Sequence, residues 1–96
     1  VKLSASEAAN MADIMQGLSS SARLLILAKL EEGPASVTEI VDATGLAQAT
    51  ISNHLRLLRH LNLVTPSRSG RSVIYSLADD HVRDFLREAV HHVGHA

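Results

Sequence analysis

Between Ser36 and Val64 the chain reads SVTEIVDATGLAQATISNHLRLLRHLNLV, and no other stretch limits the fold as much. Ser36 followed by Glu39 is a capping box, in which each side chain satisfies an orphan backbone donor of the other residue. It opens a short helix, about Val37 to Thr44, that buries Ile40 and Val41. Gly45 turns the chain. A second helix then runs from about Gln48 to Leu61, with Ile51, Leu55, Leu58 and Leu61 at helical spacing. The pair is followed by LVTPSRSGRSVIYSL, which reads as two short strands around a tip at Ser69-Gly70. Val73 and Tyr75 alternate with Ile74, Gly70 suits the turn, and Pro66 keeps the first strand at an edge.

The flanks read as helices. One spans Ser6 to about Leu18, with Ala8, Met11, Ala12 and Met15 on one face. The serines 19–21 interrupt it and cap a second helix, about Ser21 to Glu32, which Gly33-Pro34 ends. The last starts at Asp79 or Asp80, acidic residues being favourable at a helix N-terminus. The fold class is therefore mainly α with a β-hairpin wing, a winged helix-turn-helix. The 96 residues form one domain, 1–96, with the helix-turn-helix at about 37–61, the wing at about 64–77 and the final helix at about 79–94.

A chain this short buries only roughly 60–65% of its unfolded surface, so a homodimer through the N- and C-terminal helices would add core. The single Phe, single Tyr and absent Trp leave Leu, Ile, Val and Ala to build that core. The absence of Cys excludes disulfides, thiolate ligands and thiol redox chemistry. No apolar run approaches membrane-spanning length and no signal-peptide pattern opens the chain, so a cytoplasmic protein with no membrane partner is expected.

The net charge of −1 conceals a division. From Ala43 to Ala78 there is no acidic residue, while Arg56, Arg59, Arg68 and Arg71 give +4 and leave −5 for the rest. Gln48, Thr50, Ser52, Asn53 and Arg56 lie outward on the first turns of the longer helix. They supply the groups used on base edges and phosphates in a major groove. Arg68 and Arg71 flank the hairpin tip, within reach of phosphates or a minor groove. Double-stranded DNA is the implied partner. His54 and His60 are read as surface or phosphate-proximal side chains.

These segments, with SSSARLLILAKL, RSGRSVIYSL and the terminal DDHVRDFLREAVHHVGH, resemble the ArsR/SmtB family of bacterial metal-responsive repressors. The resemblance covers about four-fifths of the chain. It implies a homodimer that binds an imperfect palindrome near a promoter and releases it when metal binds. Ala47 departs from the family's common Ser cap on the recognition helix, a loss of about 1 kcal/mol.

The terminal stretch, residues 79–96, carries four of the six histidines. At ~100° per residue, Val82, Phe85, Leu86, Ala89, Val90 and Val93 form an apolar stripe. His81, His92 and His95 share one flank of it, whereas His91 falls on the opposite, solvated side. His81 and His92 stand about 16 Å apart along the axis, too far to share a metal whose bonds are about 2.0–2.1 Å. In two such helices packed antiparallel, Asp79 and His81 of one chain meet His92 and His95 of the other. A two-fold axis makes two such sites. Three imidazoles and a carboxylate form a closed shell suited to tetrahedral Zn(II) or Co(II), and the spacing matches the family's pattern for metal on the C-terminal helices.

Nickel-sensing relatives add His from the chain ends, and VKLSAS offers none, so Ni(II) is the lesser expectation. The resemblance further implies an allosteric link in which His92, through its other ring nitrogen, bonds backbone around Asn62. Two alternatives stand beside the zinc reading. One is a nickel/cobalt sensor of the same family, the other a winged-helix regulator with no metal response. An enzyme is not expected, and neither is a small-molecule substrate. Hydrolysis needs an open coordination position, which four ligands close.

Overall fold

The computed structural model describes residues 1–94 and orders them as α1 (Ala5–Gly17), α2 (Ser21–Glu32), β1 (Ala35–Ser36), α3 (Val37–Thr44), α4 (Gln48–His60), β2 (Val64–Ser69), β3 (Ser72–Leu77) and α5 (Asp80–Gly94). Two capping boxes start helices. Ser36 and Glu39 open α3 as expected, and Ser4 and Glu7 open α1, one residue earlier than the expected start at Ser6. Ser20 caps α2, accepting from the Arg23 backbone N–H at 3.3 Å. Ala47 stands at the N-cap of α4 with no side-chain hydrogen bond, so the recognition helix begins without the usual polar cap.

Gly45 takes a left-handed conformation (φ 74°) and closes α3, as the turn between the two helices requires. At the far end of α4 the same role falls to Asn62, the one described non-glycine residue with positive φ, at 60°. The Asn62 N–H donates to the Arg59 carbonyl and the Leu63 N–H to the Leu58 carbonyl, the paired bonds of a Schellman motif.

The sheet has three strands where two were expected. β3 is central, pairing antiparallel with β2 on one side and with Ala35–Ser36 on the other, in the order β1-β3-β2. Two residues are too few to show a period, so β1 left no signal of its own. Pro66 lies on the outer strand β2, opposite Tyr75, where its missing N–H breaks no ladder bond. Gly70 (φ 62°) occupies the first position of the two-residue loop between Ser69 and Ser72, the arrangement that II′ hairpin turns favour.

The core gathers Ile26, Leu27 and Leu30 of α2, Ile40 of α3, and Ile51, Leu55 and Leu58 of α4. Leu63, Val64, Leu77 and Leu86 close over it. Each end helix contributes little. Only Ile14, Gly17 and Leu18 of the α1 region are shielded, and Ala8, Met11, Ala12 and Met15 are all exposed. In α5 Leu86 is buried and Val82 partly so, while Phe85, Val90 and Val93 are 44%, 62% and 73% exposed. Both ends therefore present apolar faces to solvent in the single chain.

Candidate functional site

The outward face of α4 is built by its own amphipathic period. With Ile51, Leu55 and Leu58 fixed inward, Gln48, Asn53 and Arg56 are exposed and Thr50 and Ser52 partly so. Arg56 donates to the Asn53 Oδ1 at 3.5 Å, one turn apart on that face. Arg68 and Arg71 are exposed at the hairpin, on β2 and in its loop, and only three residues separate the end of α4 from β2. A helix lined with neutral hydrogen-bonding side chains and Arg, beside an Arg-bearing hairpin, can read base edges while holding phosphates.

His54 does not sit on this face. It is half-buried, and its Nδ1 lies 3.3 Å from the Arg23 Nη1 of α2. The expected surface or phosphate-proximal side chain is thus also a contact of α2. The partner is 31 residues away in sequence, beyond any local pattern.

The C-terminal group is placed by α5. Arg83 donates to the Glu31 carbonyl at 2.8 Å, and Arg87 Nε bonds the Glu31 Oε1 at 2.9 Å, clamping the middle of α5 to the end of α2. The pairing with Glu31 raises the Arg87 pKa above its ordinary value. Asp79 is the N-cap of this helix, its Oδ1 accepting from the Val82 N–H at 3.0 Å. The carboxylate keeps its other oxygen and further lone pairs, so capping and metal ligation are compatible in one residue.

His81 and His92 are exposed at opposite ends of the uninterrupted helix, and His95 lies outside the described residues. Among the described residues of the single chain, no three His, Asp or Glu side chains gather closely enough to hold one ion. No hydrogen bond among them joins His92 to Asn62. His91 is exposed but not remote from apolar surface: with Leu24, Leu86, Val90 and Val93 it lines an open groove between α2 and α5. His81 and His92 are not part of that groove. They project about 160–180° from Val90 around the helix, on the flank away from it.

The geometry has counterparts. The chain is 44% identical over 93 residues, 97% of its length, to the HTH-type transcriptional regulator NmtR of Mycobacterium tuberculosis (strain ATCC 25618 / H37Rv), and it spans 78% of that protein. Residues 20–65 match the family model described as bacterial regulatory protein, arsR family. The chain belongs to the ArsR family. Another relative, the HTH-type transcriptional repressor SmtB of the same M. tuberculosis strain, is 38% identical over 85% of this chain, which spans 61% of it. The solution structure of apo-NmtR superposes with a TM-score of 0.82 at 43% identity, covering all of this chain and 81% of that one. A homodimeric winged helix-turn-helix DNA-binding domain of Mycobacterium bovis, Mb0332, is 29% identical with a TM-score of 0.82, covering 100% and 95% of the two chains. The matched ArsR segment contains α2, α3 and α4 entire and ends inside β2. The segment shared with the family model is thus the helix-turn-helix with the start of the wing, and α1, β3 and α5 lie outside it. No described helix is long and apolar enough to cross a membrane.

Proposed function

We propose that the protein is a homodimeric, metal-responsive transcriptional repressor that binds operator DNA through α4 and the wing. The observation that carries the reading is the division of labour along α5. One flank bears His81 and His92 some 16 Å apart, while Phe85, Val90 and Val93 leave an apolar face without cover in the single chain. Covering that face with the same helix of a second copy, antiparallel, sets Asp79 and His81 of one chain against His92 and His95 of its partner. The donor set suits a borderline cation. Imidazole nitrogens and one carboxylate oxygen favour Zn(II), with Co(II) accepted in the same shell and Ni(II) less so.

The relative SmtB, a transcriptional repressor, supports the repressor role, and the CadC homolog, a cadmium resistance transcriptional regulatory protein, supports the metal response. The homodimeric Mb0332 domain supports the assembly. When bound between two chains, the metal supplies cross-links that favour one relative pose of the α5 helices. The chain's own residues do the rest. The Arg83 and Arg87 clamp onto Glu31 carries a change of α5 to α2, which packs on α3 and α4. His92 close to Asn62 in the assembled site would add a second route to the end of the recognition helix.

Linkage then requires that DNA weaken metal binding by the factor by which metal weakens DNA binding. The test is operator affinity by fluorescence anisotropy without metal and with Zn(II), Co(II) or Ni(II), all at one salt concentration. Weakened operator binding with Zn(II) is the expected result. Unchanged affinity with metal demonstrably bound would leave a winged-helix regulator without a metal switch.

A further inference from the structure

Arg23 stands in the first turn of α2, where a positive charge gains nothing from the helix dipole. Its guanidinium instead reaches away from its own helix to three acceptors. The Nε donates to the Gly17 carbonyl, Nη2 to the Gln16 carbonyl at 3.4 Å, and Nη1 lies 3.3 Å from the His54 Nδ1. The first two are terminal carbonyls of α1; the third belongs to the middle of α4. A guanidinium has donors only and stays charged, so the contact requires a lone pair on Nδ1. A hydrogen bond in this geometry therefore selects the His54 tautomer with its proton on Nε2.

A second contact reinforces this junction. A β-carbon at Gly17 would come within 2.0 Å of the Leu61 Cδ1, so the end of α1 packs against the C-cap residue of α4 and a larger residue there would have to displace the Leu61 side chain. The end of α1 is thus held to α4 at two levels, mid-helix through Arg23 and His54, and at the terminus through Gly17 and Leu61. Elsewhere α1 is almost free of the domain, with Ile14 and Leu18 its other shielded positions.

We propose that Arg23 is a positioning residue for DNA recognition, locking the end of α1 to His54 and thereby fixing the angle of α4 against the helix that meets the partner chain. The inference rests on the reading of α4 as the DNA-contacting helix. In a dimer built partly on α1, the separation of the two recognition helices is transmitted through this junction. Neither Arg23 nor His54 touches DNA in this scheme. Both act through the pose of α4. Lysine cannot replace Arg23, because a single ammonium lacks the planar fork that spans two carbonyls and a ring nitrogen.

The test uses the full chain with R23K, H54A, H54N and R56A, measuring operator affinity across a salt series by anisotropy. R23K and H54A are expected to weaken binding about tenfold with the salt slope unchanged, since no phosphate contact is lost. H54N, whose side-chain oxygen can accept from Arg23, restores most of the affinity, and the R23K/H54A double variant is no worse than the singles. Nitrogen-15 NMR of His54 should show an unprotonated Nδ1 in the parent protein.

R23K with parent affinity, a salt slope reduced by about one in R23K or H54A, or a protonated Nδ1 would each overturn the proposal. Should R23K fail to fold by circular dichroism, the H54A and H54N pair carries the test alone, because Arg23 keeps its bonds to α1. R56A separates the two levels of the argument. If it too leaves affinity and slope unchanged, the reading of α4 fails; if it lowers both while R23K and H54A do nothing, only the positioning role fails.

Discussion

Mixing two damaged chains should recreate a metal site that neither possesses. His81 and His92 are 11 residues apart on a helix unbroken from Asp80 to Gly94, so about 16 Å separates them along the axis. That span is several times any pair of metal–nitrogen bonds, and each site must draw its two halves from different chains. His81→Ala removes one ligand from both sites of its homodimer, and His92→Ala does the same. In a mixed dimer the surviving His92 of the first chain faces the surviving His81 of the second, giving one intact site and one lacking both. Random exchange makes half the dimers mixed, so Zn(II) capacity should return to about a quarter of the parent value. Co-refolding equal amounts of the two variants and titrating with Zn(II) by calorimetry reads this directly. Either homodimer alone should show no tight site. A mixture as silent as its components would refute the inter-chain arrangement, and parent-like binding by the His92→Ala homodimer would remove His92 from the ligand set.

Three further outcomes follow from contacts in the fold. Asp79→Asn should keep the cap on α5 while losing Zn(II) affinity, whereas Asp79→Ala should lose the affinity and about 1 kcal/mol of stability as well; equal melting temperatures for the two would mean that the cap contributes nothing. Val90→Lys, placing an ammonium on the exposed apolar face of α5, should weaken self-association by at least about tenfold in sedimentation experiments, and an unchanged dimer would move the interface elsewhere. Glu39 is held below the usual glutamate range by the Ser36 backbone and side-chain hydrogen bonds. Its ionised form therefore stabilises the fold above that range, and the contribution fades as pH falls through the depressed value. Glu39→Gln should accordingly show a shallower loss of melting temperature on acidification to about pH 3, and identical acid slopes would contradict the assignment.

The sequence discloses those features whose causes are local. Ser36 and Glu39, Gly45, and the apolar period of Ile51, Leu55 and Leu58 each act within a turn or two, and the helix-turn-helix emerges where they specify it. Gly70 and Pro66 likewise determine the hairpin and which of its strands lies outside. The same local chemistry was present in Ser4 and Glu7, a capping box that places the start of α1 earlier than the apolar pattern suggests. β1 is different in kind: Ala35 and Ser36 are extended because β3 offers them a partner some 40 residues on, not because of their own preferences. The Arg23 to His54 contact is equally non-local. An angular projection of α5 puts His91 opposite the apolar stripe, yet α2 passes on that side and makes its surroundings a groove. Projection describes one helix and cannot include its neighbour.

The placement of Pro66 has a consequence for how the protein behaves in a crowded cell. An open sheet invites a strand from another molecule to continue it, and such accretion is a route to insoluble fibres. Here one border is the two-residue β1, too brief to serve as a template, and the other is β2. Along β2, Pro66 interrupts the row of donors and Arg68 places a charge in the path of an incoming chain. Neither border of the sheet therefore offers a second molecule a long, unbroken row of backbone groups to pair with.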